Sequence, residues 1–306
     1  MTPLKNIFFQ ACLNGDIGLI KGFIENGANI NTTDDKGLTA LMFGIKSDSI
    51  EIIKYLVEKG ADVNAEDNLG ETILVIGGES GNFEIVKFLI DHGAIVNGKT
   101  KFGSPIIMTS YSLFNNLEIL KYLIEHGADV NSKKEDGWSL LMSMASVCEL
   151  DVVQYLIEHG ADINAKTNYG YTALMAAASC GNLDVVKYLV EKMNVDIKTK
   201  NKYGYAALDF GAESGGIEIV KYLLEHGADI ENKSKGGQSI LHIAAINGNL
   251  ETVKFLIEMD IDINLKNDDG NTALMLVRKR GDLEIIEYLL DHGADVNEKD
   301  IVEQWY

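Results

Sequence analysis

The chain has 306 residues, 46% of them hydrophobic, which is enough for a large core, and its formal net charge is −19. Such a charge argues against nucleic acid as a partner, because phosphates are bound by Lys and Arg, and it disfavours anionic membrane surfaces for the same reason. No apolar run approaches the roughly 20 residues that a membrane-spanning helix needs.

The chain opens with a short unit, residues 1–33, in which residues 8–14 and 18–25 are predicted to form helices. After it, a turn glycine recurs every 33 or 34 residues, followed by a short apolar helix, a second turn and an amphipathic helix. The turn glycines are Gly37, Gly70, Gly103, Gly137, Gly170, Gly204, Gly237 and Gly270. Neither helix can bury its apolar face alone, so the units must stack on one another.

Residues 167–200 show the unit most clearly, with helices predicted at 172–179 and 183–192. The first helix carries T-A-L-M in three units, and most units end in Gly-Ala-Asp or a close variant. With its 33-residue period, the sequence resembles the ankyrin repeat family over about residues 8–297. The family's motif is T-P-L-H, whose His and Thr form hydrogen bonds between neighbouring turns, and here only His242 keeps that His.

The resemblance implies an all-α ankyrin-repeat solenoid with short β-hairpin-like turns and about nine repeats, including capping repeats. We expect one domain, residues 1–306. It comprises an N-terminal capping repeat at 1–33, internal repeats at 34–266, a C-terminal repeat at 267–299 and a tail at 300–306.

Two units are irregular. The segment between Met108 and Leu117 has one residue more than its equivalent, which predicts a bulged turn between the helices. In the other unit, Met193-Asn194-Val195 replaces the usual Gly-Ala. We expect Asn194 to take the left-handed conformation that ends the helix, since Asn tolerates it better than other residues.

The titratable residues favour structural roles. The histidines before the terminal glycines, such as His92 and His126, would lie about 10 Å apart in adjacent repeats, whereas zinc ligands lie near 2 Å from one ion. They are therefore interpreted as helix C-terminal residues, and the acids that begin each second helix as partners of the helix dipole. We predict no metal, no cofactor and no catalytic residue, and hence no enzyme.

The chain has three cysteines, Cys12, Cys148 and Cys180. So small and odd a number does not fit a disulfide framework. A reducing, cytoplasmic location is expected, and delivery into a host cell stays open. A recurring Asn near the end of each unit, such as Asn64, is predicted to hold the long loop by local hydrogen bonds. The resemblance also allows hydroxylation of some of these asparagines.

Aromatic residues flank the turn glycines of four successive units. They are Phe102, Trp138, Tyr169, Tyr171, Tyr203 and Tyr205. These positions lie outside both helices, so we predict that the side chains are exposed and bind a protein partner. The alternative is that they only pack on each other as a ladder.

The sequence thus favours a monomeric, non-enzymatic scaffold that binds a protein on the concave face of the solenoid. The partner is expected to be basic or to offer an apolar or arginine-rich anchor. An adaptor that recruits a host enzyme through the tail, and more remotely an enzyme with a site in the groove, are the alternatives. Arg278-Lys279-Arg280 is either a solvated helix end or a second contact site.

Overall fold

A computed structural model describes residues 3–100, 103–108, 116–147 and 150–296. In these ranges the protein has seventeen α-helices, one 3-10 turn and no β-strand, which confirms the predicted all-α class. The chain divides into two compact units, residues 1–135 and 136–306. The predicted bulge falls on residues 109–115, which lie outside the described residues, as does the tail.

The first unit consists of helix pairs joined by short turns. Its helices are α1 (Pro3–Asn14), α2 (Ile17–Glu25), α3 (Ala40–Lys46), α4 (Ile50–Glu58), α5 (Ile73–Glu79), α6 (Phe83–Asp91) and α7 (Leu117–Glu125). A 3-10 turn, Ile106–Met108, follows Pro105. The first helix was predicted to begin at residue 8, but α1 begins five residues earlier, at Pro3. Proline suits the first position of a helix, and the five added residues are exposed.

The second unit repeats the same pair five times. Its helices are α8 (Leu140–Val147), α9 (Leu150–Glu158), α10 (Ala173–Ser179), α11 (Leu183–Glu191), α12 (Ala207–Ser214), α13 (Ile217–Glu225), α14 (Ile240–Ile246), α15 (Leu250–Glu258), α16 (Ala273–Arg280) and α17 (Leu283–Asp291). First helices pack on first helices, and second helices on second helices. The stacking buries one apolar side chain after another, for example Leu174 and Leu189.

Helix capping explains the threonine that begins the T-A-L-M motif. The Thr172 side chain accepts a hydrogen bond from the Met175 N–H at 3.3 Å, and Thr39 and Thr272 cap their helices in the same way. The threonine is therefore the N-cap, so the helix predicted at 172–179 begins at Ala173. Met42 and Met175 are buried and fill apolar space, whereas Met275 is half-buried.

The second helices end where the chain turns left-handed. Gly93 and Gly160 both have a φ of 90°, which only glycine adopts without strain. In two units that lack this glycine, Asn194 and Asp260 take the left-handed conformation, with φ values of 49° and 59°. The prediction for Asn194 is confirmed.

The recurring asparagines link neighbouring repeats. Asn64 Nδ2 donates to the Gly93 carbonyl at 3.0 Å, and Asn64 Oδ1 accepts from the Ile95 N–H at 2.8 Å. Asn31, Asn97 and Asn264 make the equivalent pairs of bonds. The local bonds predicted for these side chains are therefore wrong. Within most loops an aspartate takes that role, as Asp62 Oδ1 does for the Asn64 N–H, whereas Asn29 takes it in the first loop.

Candidate functional site

Five of the six predicted partner-binding residues lie on three successive turns of the second unit, whereas Phe102 lies outside the described residues. In the second turn, Thr167 Oγ1 accepts hydrogen bonds from the backbone N–H groups of Tyr169 and Tyr171. In the third turn, Asn201 Oδ1 accepts from those of Tyr203 and Tyr205. One polar side chain in each turn thus fixes two tyrosine backbones.

The turns are also bonded to one another. The Asn168 N–H donates to the Asp136 carbonyl at 2.7 Å, and the Lys202 N–H donates to the Tyr169 carbonyl at 2.8 Å. Gly170 is required here for two reasons: its φ is 82°, and a Cβ would lie 3.2 Å from the Asn201 Cα. The aromatic residues consequently stand on a continuous backbone frame.

Tyr169 and Tyr203, the outer tyrosine pair, precede their turn glycines and face solvent. Their side chains are 51% and 48% exposed. The two rings stack nearly parallel, with centroids 6.0 Å apart and planes 16° apart. The pair forms an ordered aromatic surface across two repeats.

Trp138, Tyr171, Tyr205 and Phe210, the inner aromatic cluster, form the second group. Ring centroids lie 6.4 Å apart for Trp138 and Tyr171, and 5.2 Å apart for Tyr171 and Phe210. Tyr205 reaches Phe210 at 6.1 Å. The residues after the glycines are half-buried, so the predicted exposure is wrong for them. They turn towards Phe210 on α12, which the sequence analysis missed.

Asp209, next to Phe210, is a buried carboxyl that was also missed. Its side chain is 2% exposed. Oδ2 accepts hydrogen bonds from the Ala206 N–H at 2.7 Å and from Asn232 Nδ2 at 2.6 Å. Oδ1 is buried without a hydrogen-bond partner. Burial raises the pKa of Asp209 to about 6, even though both hydrogen bonds favour the charged form.

Asp209 takes the position that His242 holds one repeat later. There His242 accepts from the Ser239 N–H through Nδ1, and its Nε2 lies 3.0 Å from the carbonyl oxygen of Asn271 in the next turn. The hydrogen bond between turns implied for His242 is thus present. Aspartate is shorter than histidine and bonds within its own repeat, where Asn232 donates both to the Asp209 carboxyl and to the Gly204 carbonyl at 3.1 Å. A carboxyl at position 209 and an amide 23 residues later were the available sequence signal.

A cavity of about 190 Å³ opens beside this carboxyl. The residues that line it include Tyr171, Tyr205 and Phe210, the acidic residues Asp209 and Glu213, and the apolar Ile243 and Ile246. Glu213 is exposed, and burial together with the Glu213 charge raises the pKa of Tyr171. The lining therefore combines aromatic faces with negative charge.

The recurring histidines, which were considered as metal ligands, make contacts within their own helices. The Nδ1 atoms of the recurring histidines lie 2.8 Å from the carbonyl oxygen four residues earlier, as in His92 and His126. Their rings lie against the aromatic ring of that same earlier residue, for instance Phe88 under His92. In the described part of the chain no three His, Cys, Asp or Glu side chains are placed to hold a metal ion.

The basic end of α16, Arg278-Lys279-Arg280, contacts the preceding repeat through Arg280. Arg280 Nη1 donates to the carbonyl of Ile246, the last residue of α14. Lys279 Nζ donates to Asn271 Oδ1 at 3.3 Å. Two of the three basic residues thus take part in packing within the stack. No helix among the described residues is both long and apolar enough to cross a membrane.

Together, the stacked helix pairs and the left-handed turns define a helical repeat protein. A family model described as "Ankyrin repeats (3 copies)" matches residues 8–100, 106–201, 166–234 and 212–300. The chain belongs to the ankyrin repeat family, whose repeats indicate a protein–protein interaction module and are typically non-enzymatic. Among curated proteins, the comparison found no match.

Proposed function

We propose that this chain is a non-enzymatic scaffold that binds a protein partner through the aromatic turns of its second unit. The outer tyrosine pair carries the proposal, because two large rings stand half exposed on neighbouring repeats. Tyr and Trp are the residues that most often dominate binding energy at protein interfaces. The inner aromatic cluster extends the surface towards the first helices.

The frame supports this role through preorganisation. Each tyrosine backbone is fixed by a side-chain acceptor, and each turn is bonded to the next. A surface ordered before binding loses less conformational entropy when the partner arrives. With a net charge of −19, the chain favours a basic partner, because opposite charges accelerate encounter.

The test is capture of a partner from lysate of the source organism, followed by binding measurements with the purified partner. Tyr169→Ala/Tyr203→Ala removes the outer pair without disturbing the core. Tyr288→Ala is the matched control, since Tyr288 is a half-buried tyrosine on α17 in the same unit. The proposal predicts that the outer-pair variant loses the partner and that the control retains it.

A chain that lacks residues 300–306 separates the scaffold from the adaptor. A scaffold keeps its partner without the tail, whereas an adaptor loses one partner and keeps any contact made by the turns. Equal binding by the wild type and the outer-pair variant would place the interface elsewhere on the chain and refute the proposed surface.

A further inference from the structure

The position of Asp209 is otherwise apolar in most repeats of this chain. Five residues after the turn glycine, the equivalent positions hold Met42, Val75, Met108, Met142, Met175, His242 and Met275. Methionine meets the structural need there, because the Thr39 N–H lies 3.4 Å from Met42 Sδ in the arrangement that Ala206 and Asp209 repeat. A carboxyl is therefore not needed to hold the turn.

Burying this carboxyl is unfavourable for the free protein. Asp209 Oδ1 has no hydrogen-bond partner, and an incompletely paired buried charge is costly. Asp209 is also among the residues that line the 190 Å³ cavity, together with Glu213 and three aromatic residues. A cation placed in this cavity would supply the opposite charge that the Asp209 carboxylate lacks in the free protein.

The size of the cavity limits what it can hold. Pockets for drug-sized molecules measure roughly 300–1,000 Å³, so this cavity suits the end of one side chain better than a free ligand. Its lining also selects by charge. An acidic group would be repelled by Asp209 and Glu213, and an apolar group would leave the Asp209 charge uncompensated.

We propose that this cavity receives an arginine side chain of the protein partner, with the guanidinium against the Tyr171, Tyr205 and Phe210 rings and opposite the Asp209 and Glu213 carboxyls. The inference rests on the proposed function and names the anchor of the partner. Arginine fits better than lysine because its planar head stacks on aromatic faces and is more weakly hydrated than an ammonium group. It also donates two parallel hydrogen bonds to one carboxylate, and the Glu213 carboxyl is exposed.

The test uses a minimal probe that needs no knowledge of the partner. The ¹⁵N-labelled full chain is titrated with acetyl-Gly-Arg-Gly-amide and followed by NMR chemical shifts. Parallel titrations use the same peptide with lysine or with citrulline, which is uncharged and nearly isosteric with arginine. We expect saturable shifts in and around residues 203–215 with arginine, weaker binding with lysine and none with citrulline.

A double variant removes the negative charge while keeping the fold. Asp209→Met/Asn232→Ala installs the pair that this chain already uses at Met142 and Ala165, both of which are buried. We expect it to bind the arginine peptide at least about tenfold more weakly, as loss of a charge-assisted contact implies. Glu213→Gln serves as a second variant at an exposed position and should also weaken binding.

The outcomes separate this inference from the proposed function. Equal binding of arginine and citrulline peptides, or unchanged arginine binding by the double variant, overturns the arginine site. So does the absence of any saturable shift. If the outer-pair variant loses the protein partner while the arginine peptide fails to bind, the scaffold stands and the arginine anchor is wrong. If the peptide binds in the cavity but the partner ignores the aromatic turns, the proposed function fails instead.

Discussion

The sharpest prediction concerns the stability of the protein when Asp209 and Asn232 are replaced together. Asp209→Met/Asn232→Ala removes a buried carboxyl and the amide that serves it. The variant installs the apolar residues Met and Ala that the chain already has two repeats earlier, at Met142 and Ala165. We expect it to be more stable than the wild type at neutral pH, with the advantage disappearing in acid.

The magnitude follows from the pKa. An unfolded chain ionises this carboxyl near 3.8, whereas burial raises the folded pKa to about 6. Between these values the folded state binds more protons, so the free energy of unfolding falls as pH rises. The stabilising contribution of protonated Asp209 is complete below the unfolded pKa and is lost as pH rises through 6. A shift of about two units corresponds to about 3 kcal/mol.

The assay is urea unfolding of both proteins at several pH values from 4 to 7.5. The difference between variant and wild type isolates Asp209 from the other carboxyls, since both chains share them. Asp269→Asn, at an exposed turn position, is the control for loss of a carboxyl outside the core. A flat difference for the double variant, or an Asp209 ¹³C resonance that titrates at or below its unfolded pKa, would refute the reasoning.

Asn64→Ala removes two bonds between repeats and should lower the free energy of unfolding by about 1–2 kcal/mol in urea titrations. Asn194→Val should cost about 1–2 kcal/mol, because valine tolerates a φ of 49° poorly, whereas Asn194→Gly should be neutral or stabilising in the same assay. At neutral pH iodoacetamide should modify exposed Cys180 in the folded protein and spare Cys12, whose pKa burial raises to about 12, as peptide mass spectrometry would show.

Each of these has a contradicting result. An Asn64 variant with unchanged stability would mean that water replaces both bonds at no cost. Equal stability of the valine and glycine variants at position 194 would show that the left-handed turn is not maintained in solution. Modification of Cys12 as fast as Cys180 would show that α1 opens readily.

The period of 33 residues made the repeat architecture predictable, since the spacing of glycines fixes where turns and helices fall. Local rules also located the left-handed Asn194, and they placed the start of the helix after Gly170 within one residue of its Thr172 cap. These features depend on residues close together in the chain, where sequence patterns carry most information.

Contacts between repeats were harder to predict. Within one repeat, too, the link between Asp209 and Asn232 joins residues 23 positions apart, and only a comparison of equivalent positions across the repeats singles out the carboxyl. The asparagine side chains were expected to bond within their own loop. The sequence does not show whether such an amide bonds its own loop or the next repeat. The tyrosines before and after a turn glycine looked equivalent, yet only the structure distinguishes exposed Tyr169 from half-buried Tyr171.

The central claim is that the aromatic turns bind a protein, and one measurement tests it most directly. Isothermal titration calorimetry with the purified partner compares the wild type, Tyr169→Ala/Tyr203→Ala and Tyr288→Ala, each first shown to have the same melting temperature. The account predicts that only the outer-pair variant weakens binding, by about tenfold or more, as for a hot-spot pair. Equal affinities for all three proteins would contradict it.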